Sequence, residues 1–197
     1  MNYLAHLFLS GADSDLKIGN FIGDHVKGKT ILTLPPGIRN GVLLHRKIDQ
    51  FTDSHPTVLK SKERLRPEFR KYSPVIADIF YDHFLAVNWD TYSDVKLAKY
   101  AEAFYQLTTT YHSLLPQRTL NMLPYMISNN WLISYSTLEG IHKVLTGMAR
   151  RTSFESGMER AAEELRNNYE KYESEFLFFF NDLETYVHSE RIAFVTT

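Results

Sequence analysis

The chain has 197 residues, a formal net charge of −1 and no cysteine. This length suits one domain with a sizeable hydrophobic core. A net charge close to zero gives no general attraction to nucleic acid, because proteins that bind the phosphate backbone usually carry a basic excess. The lack of cysteine excludes disulfides, thiolate metal ligands and cysteine nucleophiles, so a metal could be held only by His, Asp, Glu or Asn side chains.

The N-terminal segment MNYLAHLFLS has neither the basic flank nor the small-residue cleavage site of a signal peptide. No apolar run reaches the roughly 18 residues that a membrane-spanning helix needs. We therefore expect no membrane span and a cytoplasmic location.

Apolar residues recur mostly at three- and four-residue spacing, and the sequence contains no repeat, low-complexity tract or long linker. This pattern predicts an all-α, single-domain helical bundle over residues 1–197. Helices are predicted, in chain order, over residues 2–9, from the turn Gly11–Asp15 to about Gly23, from Pro35 and Pro36 to about Thr52, from Pro56 after a cap at Ser54 or His55, from Pro74 to Val87, and over residues 94–113, 117–134, 136–150 and 154–187. Ser136 with Glu139, and Ser156 with Glu159, have the spacing of capping boxes.

The third predicted helix carries polar side chains beside its apolar face. His45 and Asp49 are one helical turn apart and lie next to the stripe that contains Leu44 and Ile48. Burying such groups is costly unless they are paired, hydrogen-bonded or bound to a metal. Arg46 projects further out, where its guanidinium could hold phosphate oxygens by two parallel hydrogen bonds.

Two other predicted helices have the same peculiarity. The helix from Pro74 to Val87 places Asp82 and His83 on its apolar face, with Asp78 one turn earlier. In the first helix, His6 is the one polar residue of YLAHLFL. A buried histidine needs a partner.

Taken singly, each of these residues is explained as well by a buried histidine or by an Asp–His hydrogen bond. Taken together, they lie on successive segments that a helix bundle can bring around one pocket. A purely structural account needs several separate buried polar pairs, each with little net gain in stability. The pattern therefore favours a metal site built from residues 1–90, with the helices of residues 94–190 packed around it. The candidate residues are His6, Asp24, His45, Asp49, Asp53, Asp78, Asp82 and His83.

The stretch from Leu59 to Lys71, which we call the basic segment, has an excess of positive charge. Its cations are Lys60, Lys62, Arg64, Arg66, Arg70 and Lys71. Both a solvated helix surface and a docking face for an acidic partner explain such a run.

Other signals are weaker. Glu139 and His142 have the Glu-x-x-His spacing of di-iron bundles, but those bundles use the motif twice and this sequence has it once. We expect His112, His142 and His188 at the surface or in packing, and the aromatic run YESEFLFFFNDLETY against the core. No phosphate loop, nucleophile elbow or dinucleotide-binding motif occurs.

Several segments together resemble one known family. They are Met1–His6, Gly19–Asn20 before Asp24, Leu44–Asp49, Thr52–Asp53, Asp78, Asp82–Phe84, Trp131–Leu132 and Gly147–Met148. Over almost its whole length the chain is similar to the acyl carrier protein phosphodiesterase family (acyl carrier protein hydrolases), a relative of the HD-type metal phosphohydrolases. The family pattern contains all the candidate residues and Arg46, whereas a His need not occur at positions 25 and 55. His25 and His55 are therefore set aside.

The resemblance implies an HD-phosphohydrolase-like fold and hydrolysis of the phosphodiester that joins phosphopantetheine to a serine of holo acyl carrier protein. It also implies Mn²⁺, while an oxygen-rich site with some imidazole admits Mg²⁺ or Fe²⁺ as well. The expected roles are as follows: Asp24, His45, Asp82 and His83 as first metal ligands, Asp49 as a fifth ligand or a support, His6 next, Asp53 or Asp78 in proton transfer, Arg46 on the phosphate, and the basic segment as the docking face for the acidic carrier.

Two further interpretations stay open. The same metal site could act on a nucleotide or another small phosphodiester, and turnover would then need no carrier protein. Alternatively, the chain is a non-enzymatic helical binding module whose Asp–His pairs are structural, and elemental analysis would then find no transition metal.

Overall fold

A computed structural model describes residues 1–195, and within this range every regular element is an α-helix or a short 3₁₀-helix. The predicted all-α, single-domain fold is confirmed. The α-helices are α1 (Tyr3–Leu9), α2 (Ser14–Ile22), α3 (Pro36–Ser54), α4 (Pro56–Phe69), α5 (Ser73–Val87), α6 (Trp89–Tyr92), α7 (Leu97–Thr110), α8 (Gln117–Ser128), α9 (Trp131–Ser134), α10 (Leu138–Ala149), α11 (Ala161–Asn167) and α12 (Tyr169–Val195). The 3₁₀-helices are Gly23–His25, Gly28–Thr33, Arg70–Tyr72, His112–Leu114 and Met158–Arg160.

The first four helices begin at or close to the predicted residues, although α2 already begins at Ser14, inside the predicted turn Gly11–Asp15. Asp13 caps α2 by accepting a hydrogen bond from the Leu16 N–H at 2.9 Å. Pro36 is the first residue of α3, where its missing N–H costs nothing. The His55 side chain caps α4 by accepting from the Thr57 N–H. These caps satisfy N–H groups that a helix leaves unpaired at its start.

Helices α2 and α3 pack backbone against backbone at two glycines. A Cβ atom on Gly19 would lie 2.0 Å from a backbone carbonyl oxygen of α3, and one on Gly41 would lie 2.4 Å from the Leu16 carbonyl oxygen. No side chain fits at either position unless the helices move apart. The contact therefore sets the place of Asn20, the residue after Gly19, against α3.

A continuous hydrophobic core joins helices from both halves of the chain. Helix α5 is buried on nearly all sides. Helix α12 packs across α3, α4 and α5, and Phe176, Phe179 and Phe180 on it are fully buried. The aromatic run near the C-terminus packs against the core as predicted.

The predicted helices of the C-terminal half are too long. The helix expected over residues 117–134 is interrupted before Trp131, because Asn130 takes a left-handed backbone conformation with φ 43°. The helix expected over residues 154–187 is split into a 3₁₀-helix, α11 and α12, and Gly157, with φ 69°, precedes the first of these pieces.

Neither capping box forms as predicted. Thr137, rather than Ser136, caps α10 by accepting from the Gly140 N–H at 3.0 Å. Ser156 precedes a 3₁₀-helix instead of starting an α-helix. Spacing alone does not distinguish a capping serine from a neighbouring threonine, because both hydroxyls accept the same hydrogen bond.

Among residues 1–195, no helix combines the length and the apolar character that crossing a lipid bilayer requires.

Candidate metal centre

Three side chains from α1 and α3 meet at one point. The Nε2 atom of His6 lies 3.2 Å from Asp49 Oδ1, and the Nε2 atom of His45 lies 3.1 Å from Asp49 Oδ2. The two imidazole rings stack with their centroids 4.1 Å apart. One ligand atom from each residue lies within 4.8 Å of the other two, which is a spacing that allows a shared metal ion. We call this set the His6–His45–Asp49 cluster.

Asn20, on α2, orients both rings. Its side-chain Oδ1 lies 2.7 Å from His6 Nδ1, and its backbone oxygen lies 2.9 Å from His45 Nδ1. Its amide nitrogen donates to the His6 carbonyl oxygen and to Ser10 Oγ, which fixes the orientation of the amide. Because both partners of the Nδ1 atoms are oxygen acceptors, both imidazoles carry hydrogen on Nδ1.

This arrangement leaves the Nε2 atoms of the neutral rings without hydrogen, and both face the Asp49 carboxylate. Lone pairs then face lone pairs, which is unfavourable unless a proton or a cation lies between them. The His6 Nε2 atom is buried and has no hydrogen-bond partner in the described part of the chain, since its contact with Asp49 does not have hydrogen-bond direction. A metal-ligating histidine commonly shows this pattern, with Nδ1 held by a carbonyl and Nε2 left for the ion.

The electrostatics of the cluster also favour a positive charge. Burial lowers the pKa of His45, but contacts with Asp24 and Asp49 outweigh burial and raise this pKa to about 9. Burial and the neighbouring His45 lower the pKa of His6. Burial raises the pKa of Asp49, yet the His45 and His6 rings hold it well below its usual value. The cluster therefore keeps one proton beside a carboxylate, at the place where a cation could replace it.

Asp24 and Arg46 form the exposed rim of the cluster. Asp24 Oδ1 lies 3.4 Å from His45 Nε2, and the Asp24 side chain is 69% exposed. Arg46 is exposed and donates to the Val26 carbonyl oxygen at 3.2 Å, just past the 3₁₀-helix that carries Asp24. Both residues can reach a ligand that enters from solvent.

The carboxylate of Asp82, which is predicted as a first metal ligand, lies against the start of α1. Its carboxylate accepts backbone N–H bonds from Asn2, Leu4 and Ala5 at 3.1, 2.7 and 3.3 Å, so it caps α1 from α5. Burial raises its pKa to about 7 against the opposing effect of these donors. Both carboxylate oxygens are occupied, and we leave Asp82 out of the proposed ligand set.

His83 is likewise engaged elsewhere. Its Nδ1 lies 2.7 Å from the Tyr135 carbonyl oxygen, and its Nε2 lies 3.0 Å from the Tyr169 hydroxyl. With both ring nitrogens in hydrogen bonds, His83 ties α5 to the C-terminal half of the chain. We leave it out of the ligand set as well.

The two residues predicted to transfer protons are both paired. Asp53 is 70% exposed and forms an ion pair with Lys62 at 2.6 Å. Asp78 accepts from the Met1 nitrogen at 2.9 Å. Met1 lies just before α1, the helix that carries His6, so Asp78 lies against the N-terminal end of that helix.

The basic segment is less free than its composition indicates. Arg64 forms a two-pronged pair with the buried Glu175 at 2.8 and 2.6 Å, and Lys60 lies 3.7 Å from the same carboxylate. Lys62 is buried against Asp53. The exposed cations Arg66, Arg70 and Lys71 line a shallow groove beside the start of α5.

Sequence reasoning gave no role to Asn20, although the residue was part of the family resemblance. A signal was present, because Asn20 is an amide between apolar neighbours of α2, and a fully buried amide needs several hydrogen-bond partners. The histidines that were set aside lie outside the cluster: His25 pairs with Thr119, and His55 caps α4.

Comparisons of the chain with a family model and with known proteins point to the same family. A family model described as acyl carrier protein phosphodiesterase matches residues 1–183. A protein named acyl carrier protein phosphodiesterase from Enterobacter sp. (strain 638) is 34% identical over 182 residues, which cover 91% of this chain and 94% of the relative. Its namesake from Escherichia coli O6:H1 is 33% identical over 181 residues, with the same coverage of 91% and 94%. No solved structure matches the chain, and the relation to HD-type phosphohydrolases stays a prediction. This chain belongs to the acyl carrier protein phosphodiesterase family.

Proposed function

We propose that this chain is a metal-dependent phosphodiesterase that hydrolyses the phosphodiester between phosphopantetheine and a serine of holo acyl carrier protein. The products would be apo acyl carrier protein and phosphopantetheine. Family membership supports the reaction and the substrate. The observation that carries the metal dependence is the pair of Nε2 atoms facing Asp49, with both Nδ1 atoms held by Asn20.

The proposed ligands are His6 Nε2, His45 Nε2 and the Asp49 carboxylate, with Asp24 completing the set from the rim. Two imidazoles and two carboxylates suit Mn²⁺ or Fe²⁺, and the oxygen share also admits Mg²⁺. When bound, such a cation lowers the pKa of a water molecule and offsets the charge that grows on the phosphoryl oxygens.

The chain itself supplies orientation and proton transfer. Asn20 holds both imidazoles by their Nδ1 hydrogens, so that the Nε2 lone pairs point into the site. Arg46 can turn from the Val26 carbonyl and donate two parallel hydrogen bonds to phosphoryl oxygens. We propose that Asp78, rather than Asp53, takes up a proton from the attacking water and returns it to the serine alkoxide. Asp78 is held by Met1 just before α1, the helix that carries His6, whereas Asp53 is exposed and paired with Lys62.

The acidic carrier would be attracted by the exposed part of the basic segment. Arg66, Arg70 and Lys71 remain available there. Exposed charges of this kind act mainly on the rate and orientation of encounter. Lys62 and Arg64 contribute less to this attraction, because their charges are compensated by Asp53 and Glu175.

The test is incubation of the purified protein with holo acyl carrier protein and Mn²⁺, followed by mass spectrometry of the carrier. We expect loss of the prosthetic arm, no loss with the His45→Ala variant, and one bound Mn²⁺ that disappears in that variant. His83→Ala is the matched control, because His83 is a buried histidine outside the cluster, and it should keep its Mn²⁺. An unchanged carrier mass, or cleavage only of small phosphodiesters, would contradict the proposal.

A further inference from the structure

Two exposed arginines from the second half of the chain are connected to the edge of the site through neighbouring side chains. Arg118 is on α8, and Arg151 follows the end of α10. Arg151 donates one hydrogen bond to the Gly147 carbonyl oxygen. Within residues 1–194, neither guanidinium forms an ion pair with an acidic side chain. Unpaired surface arginines next to a reaction site are available to an anion that arrives from outside.

Arg118 is tied to the rim through its neighbour in sequence. Thr119 is fully buried, and its hydroxyl lies 2.7 Å from His25 Nδ1. His25 follows the rim residue Asp24, so this hydrogen bond joins the first turn of α8 to the rim.

Arg151 is tied to α1 through a row of rings. Its guanidinium lies 6.0 Å from the centroid of the Trp131 ring, and the Trp131 and Tyr3 rings are 6.3 Å apart. The Tyr3 hydroxyl lies 3.0 Å from the sulfur of Met122, on α8. Tyr3 is one helical turn before the cluster residue His6, so this row runs from Arg151 to the edge of the cluster.

The arginines lie outside the cluster itself. Burial raises the pKa of Tyr3 to about 12, and after burial the charges that act on this hydroxyl are those of Asp24, Arg151 and Arg118. In contrast, the groups that change the pKa values of His6 and Asp49 most, apart from burial, are the other members of the cluster. The charges of Asp24 and of both arginines therefore act on the Tyr3 hydroxyl.

We propose that Arg118 and Arg151 form a docking pair that binds acidic side chains of the carrier protein flanking its modified serine. This inference rests on the proposed function, which supplies an acidic protein as the substrate. The serine must reach the cluster, so acidic groups on either side of it must come to rest at the site edge where the two guanidiniums lie. The substrate phosphate is assigned to Arg46, which follows the ligand His45 directly in α3.

The docking pair and the basic segment have separable effects. Cations distant from the final contact mainly change the association rate, whereas cations in the contact change dissociation as well. We therefore expect substitutions in the docking pair to weaken the formed complex.

The experiment compares wild type with an Arg118→Gln/Arg151→Gln double variant on holo acyl carrier protein and Mn²⁺. The expected result is an increase in KM of about tenfold with kcat unchanged at saturating carrier, and a smaller increase in high salt. Arg166→Gln on α11 is the matched control, since Arg166 is an exposed arginine with no contact to the site. A decrease in kcat without a change in KM would overturn the inference, because it would assign the arginines to the phosphate.

Isothermal titration calorimetry of apo-carrier binding separates this inference from the proposed function. Hydrolysis by the wild type tests the function, and loss of apo-carrier affinity in the double variant tests the docking pair even if no hydrolysis occurs. Equal affinity of the wild type and the double variant, or no binding by either, would overturn the docking pair. Thermal unfolding confirms that the variants are folded.

Discussion

At the scale of single residues, the candidate site depends on one asparagine as much as on its ligands. Asn20 uses its side-chain oxygen for His6 and its backbone oxygen for His45, while its amide nitrogen closes bonds to the His6 carbonyl and Ser10. Only the side-chain part of this arrangement can be removed by mutation. The His45 ring keeps its backbone partner in any variant.

We expect Asn20→Ala to reduce Mn²⁺ affinity by about tenfold or more, because the His6 ring loses the acceptor that fixes its hydrogen on Nδ1. Isothermal titration calorimetry measures this change. Ser10→Ala is the control: it removes the hydroxyl that receives a hydrogen bond from Asn20 and leaves both imidazoles supported. Equal affinities in the two variants would show that Asn20 does not orient a ligand.

Sequence spacing alone can bring together some of the candidate residues but not others, for a physical reason. His45 and Asp49 are on one helix, so their spacing alone places their side chains together. Asp82 and His83 also lie on an apolar face of their helix. Their position on that face does not show which groups of a neighbouring helix they contact. They meet the start of α1 and the Tyr135 carbonyl instead of a metal site.

At the scale of elements, the contact between α2 and α3 aligns the site. Asn20 and His45 come from these two helices, and their hydrogen bond depends on how closely the helices approach. Glycines at positions 19 and 41 allow this approach. The glycines are visible in the sequence, whereas the partner helix of each is not, because the contact joins residues distant in the chain.

Gly41→Ala should reduce the free energy of unfolding by about 1–3 kcal/mol, because the added Cβ would meet the Leu16 carbonyl oxygen at 2.4 Å. Urea denaturation measures the change. Gly147→Ala in α10 is the matched control: its Cβ would have no neighbour within 4 Å, so removal of a helical glycine should stabilise the fold by about 0.5–1 kcal/mol. Similar effects at both positions would contradict the close packing of α2 and α3.

At the scale of the whole molecule, a buried polar network joins the neighbouring helices α4 and α5 to α12, which is far from them in sequence. Glu175 on α12 receives hydrogen bonds from Arg64 and Ser61 on α4, and Ser61 also contacts the Tyr81 hydroxyl on α5. No local pattern marks Glu175 as the partner of Arg64, since the two are 111 positions apart. For this reason the sequence did not show that Arg64, one cation of the basic segment, forms an internal ion pair.

The same network makes stability depend on pH with a definite sign. Burial raises the pKa of Glu175, but the hydrogen bonds from Arg64 and Ser61 outweigh it, so the pKa in the folded state is below the reference value of 4.5. A carboxyl group with a lowered folded pKa stabilises the fold above its unfolded pKa. This stabilisation is lost as the pH falls from about 4.5 through the folded value.

We therefore expect Glu175→Gln to be less stable than the wild type by about 3 kcal/mol at neutral pH, because it leaves the Arg64 charge partly buried without a partner. The difference should shrink as the pH falls from about 4.5 through the folded pKa of Glu175, since protonation removes the same charge from the wild type. Urea unfolding of both proteins across this range measures it, with Glu163→Gln on the exposed side of α11 as the control. A stability difference that stays constant over the acidic range would mean that the Glu175 charge does not hold α4 against α12. The contact of the Arg64 guanidinium with the Tyr172 ring, 4.7 Å from its centroid, would then join the two helices without the carboxylate.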